Sequence, residues 1–136
     1  MRTALTACLA AGVLGVAGAA GAHCSFAMFD QSRTVQLKGV VAEFQWTAPH
    51  AFFEIDVPGG KGVERWSVET NSAGNLHRGG WRASDFRPGD KITIFLNPMR
   101  NGQKAGLFKG VVMQDGGTRG EVPAGLAAAK SLHRRG

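Results

Sequence analysis

The sequence contains little of the chemistry that reveals a function most directly. It has only two cysteines, and none of its Cys and His residues have the close spacing that holds structural zinc. No serine lies in the Gly-x-Ser-x-Gly pattern of a nucleophile elbow. The one long apolar run lies at the N-terminus and lacks the length and flanking residues of a membrane span. These absences argue against a zinc domain, a hydrolase of the nucleophile-elbow type and an integral membrane protein.

Residues 1–22 have the organisation of a secretory signal peptide. Arg2 precedes an apolar run of Ala, Leu, Val and Gly, and the segment ends in the small-x-small pattern Ala20-Gly21-Ala22. Cleavage after this pattern predicts a periplasmic or secreted protein whose first residue is His23. Only Cys24 then remains, so no intramolecular disulfide can form.

The rest of the chain predicts one domain followed by a tail. Residues 23–116 are long enough for a single modest core. Residues 117–136 are rich in Gly, Ala and basic residues, which predicts a flexible basic tail that supplies part of the net charge of +6. Such a tail could contact anionic surfaces such as lipid or cell-wall polymer.

The apolar pattern is that of a mainly β protein. The first predicted strand, residues 34–46, is long, and its inward positions change parity at Lys38-Gly39, with Val40, Ala42 and Phe44 facing the core beyond it. One bent strand of this kind can serve two sides of a small barrel. Four shorter strands are predicted at residues 50–57, 63–70, 91–96 and 107–114. A helix is predicted at residues 71–81, between the third and fourth strands. The order β-β-β-α-β-β is that of a five-stranded OB-fold-like barrel; an open β-sandwich is the alternative.

Four segments resemble a family of small exported bacterial proteins of unknown function. They are Ser25–Asp30, Leu37–Phe44, Trp46–Ala51 and Pro88–Ile92, and the third contains the W-x-x-P-H motif of that family. The resemblance covers nearly all of residues 23–115, and it implies the barrel fold and export but no catalytic residue. Members of the family have Asn-Pro-His where this chain has Ala48-Pro49-His50, and often a second histidine at the position of Cys24.

Three residues could form a metal site. A mature N-terminal His23 can bind copper through its α-amine and imidazole, and His50 could complete a T-shaped set of three nitrogens. Cys24 is a soft ligand that would suit Cu(I). The alternative is that His50 only closes a turn by hydrogen bonding and that His23 is an accident of the cleavage position.

The loops at one end of the predicted barrel could form a ligand site instead. The first, Thr47–His50, contains Pro49 and His50, and the second, Asn97–Gly106, contains Arg100 and Lys104. Cationic and amide groups in these loops could bind a sugar or a carboxylate, although loops are polar in any protein because water surrounds them.

These observations favour an exported, non-enzymatic binding protein whose ligand the sequence does not name. Copper binding at the N-terminus and a structural or interaction role in the cell envelope are the alternatives. Nucleic acid, which OB-fold barrels often bind, is not expected because the protein is predicted to be exported, residues 23–116 are nearly neutral and most aromatic residues face inward.

Overall fold

Alternating apolar residues form strands along most of the chain in the computed structural model, which describes residues 24–126. The strands are β1 Val35–Gln45, β2 Phe52–Gly59, β3 Gly62–Glu69, β4 Lys91–Pro98, β5 Ala105–Val112 and β6 Thr118–Gly120. The helices are α1 Cys24–Ala27 and α2 Ala73–Arg78, with a 3-10 turn at Ala83–Asp85. Within the described range, no helix is both long and apolar enough to span a membrane.

Five of the strands close into a barrel. β1 pairs with both β2 and β4, β2 pairs with β3, and β4 pairs with β5, all antiparallel. The barrel closes where Ser67–Glu69 of β3 run parallel to Ala105–Leu107 of β5. With α2 between β3 and β4, this is the OB-fold arrangement. The predicted barrel is therefore confirmed, and the open sandwich is wrong.

The long first strand does serve two sides of the barrel, but its inward face changes at a different place from the one predicted. Its first half pairs with β4 as far as Val40, and its second half pairs with β2 from Val40 onward. Val41 is 1% exposed and Val40 is 36% exposed, so Val40 does not face the core. The register shifts between Val41 and Glu43, which puts the bulge at Ala42 and not at Lys38-Gly39.

A cluster of aromatic rings packs inside the barrel among aliphatic core residues. Phe53 is fully buried and stacks on Phe44 at 4.5 Å between ring centroids. Phe86 meets Phe53 edge to face at 4.8 Å, and Trp81 packs 5.8 Å from Phe86. Burying one such side chain contributes about 1.5–3 kcal/mol. The aromatic cluster therefore fixes the position of the segment that follows α2.

Helix α2, Ala73–Arg78, lies within the predicted segment 71–81 and is shorter than it. The Ser72 hydroxyl accepts a hydrogen bond from the Asn75 amide, which caps the first turn. Gly80 adopts φ +84°, the left-handed conformation that ends the helix and turns the chain inward. Leu76 and Trp81 are buried. Leu76 thereby anchors the helix to the hydrophobic core.

The predicted tail starts with ordered structure. Residues 118–120 form β6 against β5, whereas the sequence predicts a flexible tail from residue 117. Two glycines allow β5 and β6 to approach each other closely. A Cβ added at Gly110 would collide with the Glu121 carbonyl, and a Cβ added at Gly120 would collide with the Lys109 carbonyl. A three-residue strand has too little alternation to be recognised from its sequence. The predicted signal peptide, His23 and residues 127–136 lie outside the described part.

Candidate functional site

A cavity of about 340 Å³ lies where the β1–β2 turn meets the end of β3. Four apolar side chains line it: Phe26, Leu76, Leu107 and Phe108. The polar part of the wall consists of His50, Glu69, Thr70 and Asn71. An apolar pocket with a few convergent polar groups is the usual form of a small-molecule site.

The turn between β1 and β2 presents His50 to this cavity. The Thr47 hydroxyl donates to the His50 carbonyl at 2.7 Å, which closes the turn. Beyond it, the Ala51 amide donates to the Asn71 carbonyl at 2.9 Å, so the start of β2 lies against the end of β3. Pro49, which follows a cis peptide bond, is exposed on the turn and does not line the cavity.

The His50 imidazole is held by two acceptors. Its Nδ1 lies 3.1 Å from the Thr70 carbonyl oxygen and 3.3 Å from Glu69 Oε1. Since both neighbours accept hydrogen bonds, Nδ1 carries the proton, and in the neutral ring Nε2 keeps its lone pair. The His50 side chain is 37% exposed and that of Glu69 is 16% exposed. A partly accessible imidazole is thus fixed in one tautomer.

The N-terminal segment is fastened beside the cavity by the β4–β5 loop. Arg100 Nε donates to the Ala27 carbonyl at 3.1 Å, and the Arg100 amide donates to the Met28 carbonyl at 2.9 Å. Phe29 forms an antiparallel bridge with Met99. These contacts place Phe26 on the cavity wall, although it lies more than twenty residues before His50 in the sequence.

The residues predicted to bind a ligand are not gathered into one place. Arg100 holds the N-terminal segment, and the Lys104 ammonium lies 3.1 Å from Glu64 Oε2 and 5.3 Å from the centre of the Trp66 ring. Of the predicted set, His50 lines the cavity, whereas Pro49, Arg100 and Lys104 do not. In the part of the chain that the structure describes, no three His, Cys, Asp or Glu residues lie close enough to hold a metal.

Of the residues that line the cavity, His50 alone is among the site residues predicted from the sequence, and Glu69 and Phe26 are the most informative of the others. Glu69 ends β3 and is brought to His50 by the β2–β3 hairpin, in which Phe52 pairs with Glu69. The hairpin loop in the sequence is a usable signal for it, because counting outward from the loop places residue 50 near residue 70. Phe26 has no comparable signal, since its position depends on the bridge between Phe29 and Met99.

The outward carboxylates of β2 have structural partners. Arg65 forms two hydrogen bonds with Asp56, of 2.5 and 3.1 Å, and this pairing holds the pKa of the Asp56 carboxyl below its usual value. Glu54 accepts a hydrogen bond of 2.6 Å from the Ser67 hydroxyl. Pairs of this kind across a hairpin stabilise sheets. They give Glu54 and Asp56 a role in the β2–β3 hairpin and no visible catalytic one.

Two larger grooves lie elsewhere on the barrel. One, of about 450 Å³, is lined by Asp85, Asp90 and Asp115, and each of these carboxylates already accepts a hydrogen bond from a backbone amide. The other, of about 520 Å³, has Lys38 and Lys91 on its wall. Neither groove contains a histidine, so the His50 cavity has the most distinctive chemistry.

The barrel belongs to the OB-fold class by its strand order and closure, and within it the cavity at His50 is the candidate site. The sequence matches the model of a family of unknown function, DUF6152, over residues 10–109. The chain is therefore a member of that family, which confirms the predicted membership in a family of unknown function with a barrel fold. Bacterial origin and export stay predictions.

Two solved structures are similar in fold. The mitochondrial single-stranded DNA binding protein Rim1 from S. cerevisiae is 11% identical with a TM-score of 0.45, and the match covers 60% of this chain and 92% of that one. The TiaS protein in its complex with an isoleucine tRNA and ATP is 17% identical with a TM-score of 0.45, over 62% of this chain and 19% of that chain. This chain therefore corresponds to about a fifth of the length of TiaS. Neither likeness shows what this chain binds, and no curated protein matches it significantly.

Proposed function

We propose that this chain is an exported, non-enzymatic binding protein whose ligand occupies the cavity at His50. The observation that carries the proposal is the fixed imidazole on a wall that is otherwise half apolar. Binding sites commonly combine a rigid apolar surface with a few oriented polar groups. Export is supported by the signal-peptide pattern of residues 1–22.

The arrangement around His50 favours binding over catalysis. A nucleophilic enzyme needs a hydroxyl or thiol within hydrogen-bond reach of its base. In the described part of the chain, His50 contacts a carbonyl and a carboxylate through Nδ1, and no hydroxyl or thiol is hydrogen bonded to its Nε2. These partners orient the ring and do not provide a nucleophile for it to activate.

A chemical-shift experiment tests the proposal. Amides of residues 69–71 and 107–108 should shift when a fragment mixture or a metal salt is added to the mature protein, because these residues line the cavity. His50→Ala should abolish the shifts, whereas His77→Ala on the exposed side of α2 serves as the matched control. If no compound or metal shifts these amides, the cavity is not a binding site, and a structural role in the envelope is favoured.

Copper is a second candidate, and the orientation of His50 favours it. Histidines that ligate metals usually donate their other ring N–H to a carboxylate or a backbone carbonyl, and His50 has both partners at Nδ1. Phe26 lines the same cavity and lies three positions after His23. The α-amine and imidazole of His23 together with His50 Nε2 would supply the three nitrogens of a Cu(II) site.

The copper candidate is tested by electron paramagnetic resonance during Cu(II) titration. We expect one-to-one binding by protein cut after Ala22, and a loss of at least about tenfold in affinity when one extra residue precedes His23 or when His50 is replaced by glutamine. His77→Gln should bind like the wild type. Equal affinity with and without the extra residue would overturn an N-terminal copper site, without affecting the fragment-binding test above.

A further inference from the structure

The charged part of the polar wall of the His50 cavity is a hydrogen-bond acceptor. Its one formally charged side chain in the described lining is Glu69, and neither lysine nor arginine lines the cavity. The Thr70 carbonyl lies nearer to His50 Nδ1 than Glu69 does, at 3.1 against 3.3 Å. The Glu69 carboxylate therefore keeps most of its capacity to accept hydrogen bonds, and the neutral imidazole adds a lone pair at Nε2.

The apolar wall is partly rigid and partly uncovered. Phe108 stacks 5.9 Å from Phe53 and meets Trp81 edge to face at 5.5 Å, so the aromatic core holds it in place. Leu76 is 6% exposed. Phe26 at the rim is 47% exposed, so a ligand that covers its ring would remove apolar surface from water.

We propose that the ligand is a small organic amine with an aromatic or alkyl body. Its ammonium group would donate to Glu69, and its apolar part would pack between Phe26, Leu107 and Phe108. This inference rests on the proposed binding function and names the chemical class of the ligand. An anionic ligand is disfavoured because its charge would lie beside a carboxylate that is 16% exposed.

Three probes of nearly equal shape test the proposal: phenethylamine, 2-phenylethanol and phenylacetate. Their affinities are measured by isothermal titration calorimetry on the mature protein, with a chelator present to remove metal ions. Hydrogen bonds to charged groups contribute about twice as much as neutral ones, so we expect the amine to bind about tenfold more tightly than the alcohol, and phenylacetate to bind most weakly.

Glu69→Gln should bring the amine and the alcohol to equal affinity. Glu43→Gln is the matched control, because it removes the same charge from an exposed position on β1 and should leave the preference intact. If Glu69→Gln does not fold, the ratio of the two affinities in the wild type decides the matter alone.

The outcomes separate this inference from the function on which it rests. Equal binding of amine and alcohol, preference for phenylacetate, or a preference that survives Glu69→Gln would overturn the amine proposal while the cavity still counts as a binding site. If none of the three probes binds, the amine proposal is overturned. If fragments and metals also fail to shift the cavity amides, the proposed binding function is overturned too.

Discussion

Replacing Gly39 with alanine tests how closely β1 and β2 approach each other near the point where the pairing of β1 changes from β4 to β2. Gly39 pairs with Ile92 on β4, and the next residue pairs with Asp56 on β2. A Cβ at Gly39 would lie 2.6 Å from the Asp56 carbonyl oxygen and 3.1 Å from a methyl carbon of Val57. A comfortable carbon–oxygen contact needs roughly 3.3–3.6 Å, so the backbone of β2 would have to move away by about 0.7 Å or more.

The cost follows from this displacement. Overpacking a well-packed interior usually costs about 1–3 kcal/mol. Replacing glycine with alanine also stabilises the folded protein by about 0.4–1 kcal/mol, because it restricts the unfolded chain. The expected net loss in the free energy of unfolding is therefore about 1–2 kcal/mol, which lowers Tm by roughly 5–15 °C for a domain of this size.

Urea unfolding of the Gly39→Ala variant measures this loss, provided that the m-value is unchanged. Gly60→Ala is the matched control, because a Cβ there meets no atom within 4 Å. We expect Gly60→Ala to be neutral or slightly stabilising. If Gly39→Ala is as stable as Gly60→Ala, the close approach of β1 to β2 is not a constraint and the reasoning is refuted.

Two further predictions concern charged side chains. Hydrogen bonding to Arg65 lowers the pKa of Asp56 in the folded protein, so Asp56→Asn should lower the free energy of unfolding at neutral pH, and urea curves should show this difference vanish as the pH falls below about 4. Arg100→Ala removes the hydrogen bond to Ala27 and should raise amide hydrogen exchange at Asp30 by roughly fivefold, since one such bond contributes about 1 kcal/mol.

Each of these predictions has its own control. In an Arg65→Gln background, Asp56→Asn should no longer change stability at neutral pH, and a persisting effect would show that the pairing is not its cause. Lys104→Ala is the control for Arg100→Ala. It removes a cation from the same loop, but the Lys104 ammonium contacts Glu64. If it accelerates exchange at Asp30 as much as Arg100→Ala does, the loop is loosened generally and Arg100 is not a specific fastening.

The strands were predictable because apolar residues alternate regularly in β2 and over parts of other barrel strands, although β5 and the end of β4 depart from the pattern. The position of the bend was not, because the residues around it carry little information. Glycine has no side chain to indicate a face, and Ala42 is small enough to lie on either side of the sheet. The alternation therefore points to a parity change at Gly39, whereas the extra residue is Ala42.

The site was predictable only in part, for a related reason. His50 stands out through its place after Pro49 in a turn. Its partners Glu69 and Thr70 come from the far end of a hairpin, and recognising them requires the register of β2 and β3. Phe26 reaches the cavity because its neighbour Phe29 forms a bridge with Met99, which lies more than seventy residues after Phe26. A pattern confined to neighbouring residues carries no trace of such a contact.

The parallel seam between β3 and β5 has a consequence for how the barrel assembles. Only residues 67–69 and 105–107 pair there, and they are far apart in the sequence. Such non-local contacts form late and are slow to establish, because the loop entropy must be lost before they stabilise anything. The hairpins can form early, which leaves the pairing of β1 with β4 and the seam between β3 and β5 as the late steps. Glu69 and Leu107 belong to both the seam and the cavity, so the cavity is complete only when the seam has formed, and a ligand in it would stabilise the closed barrel.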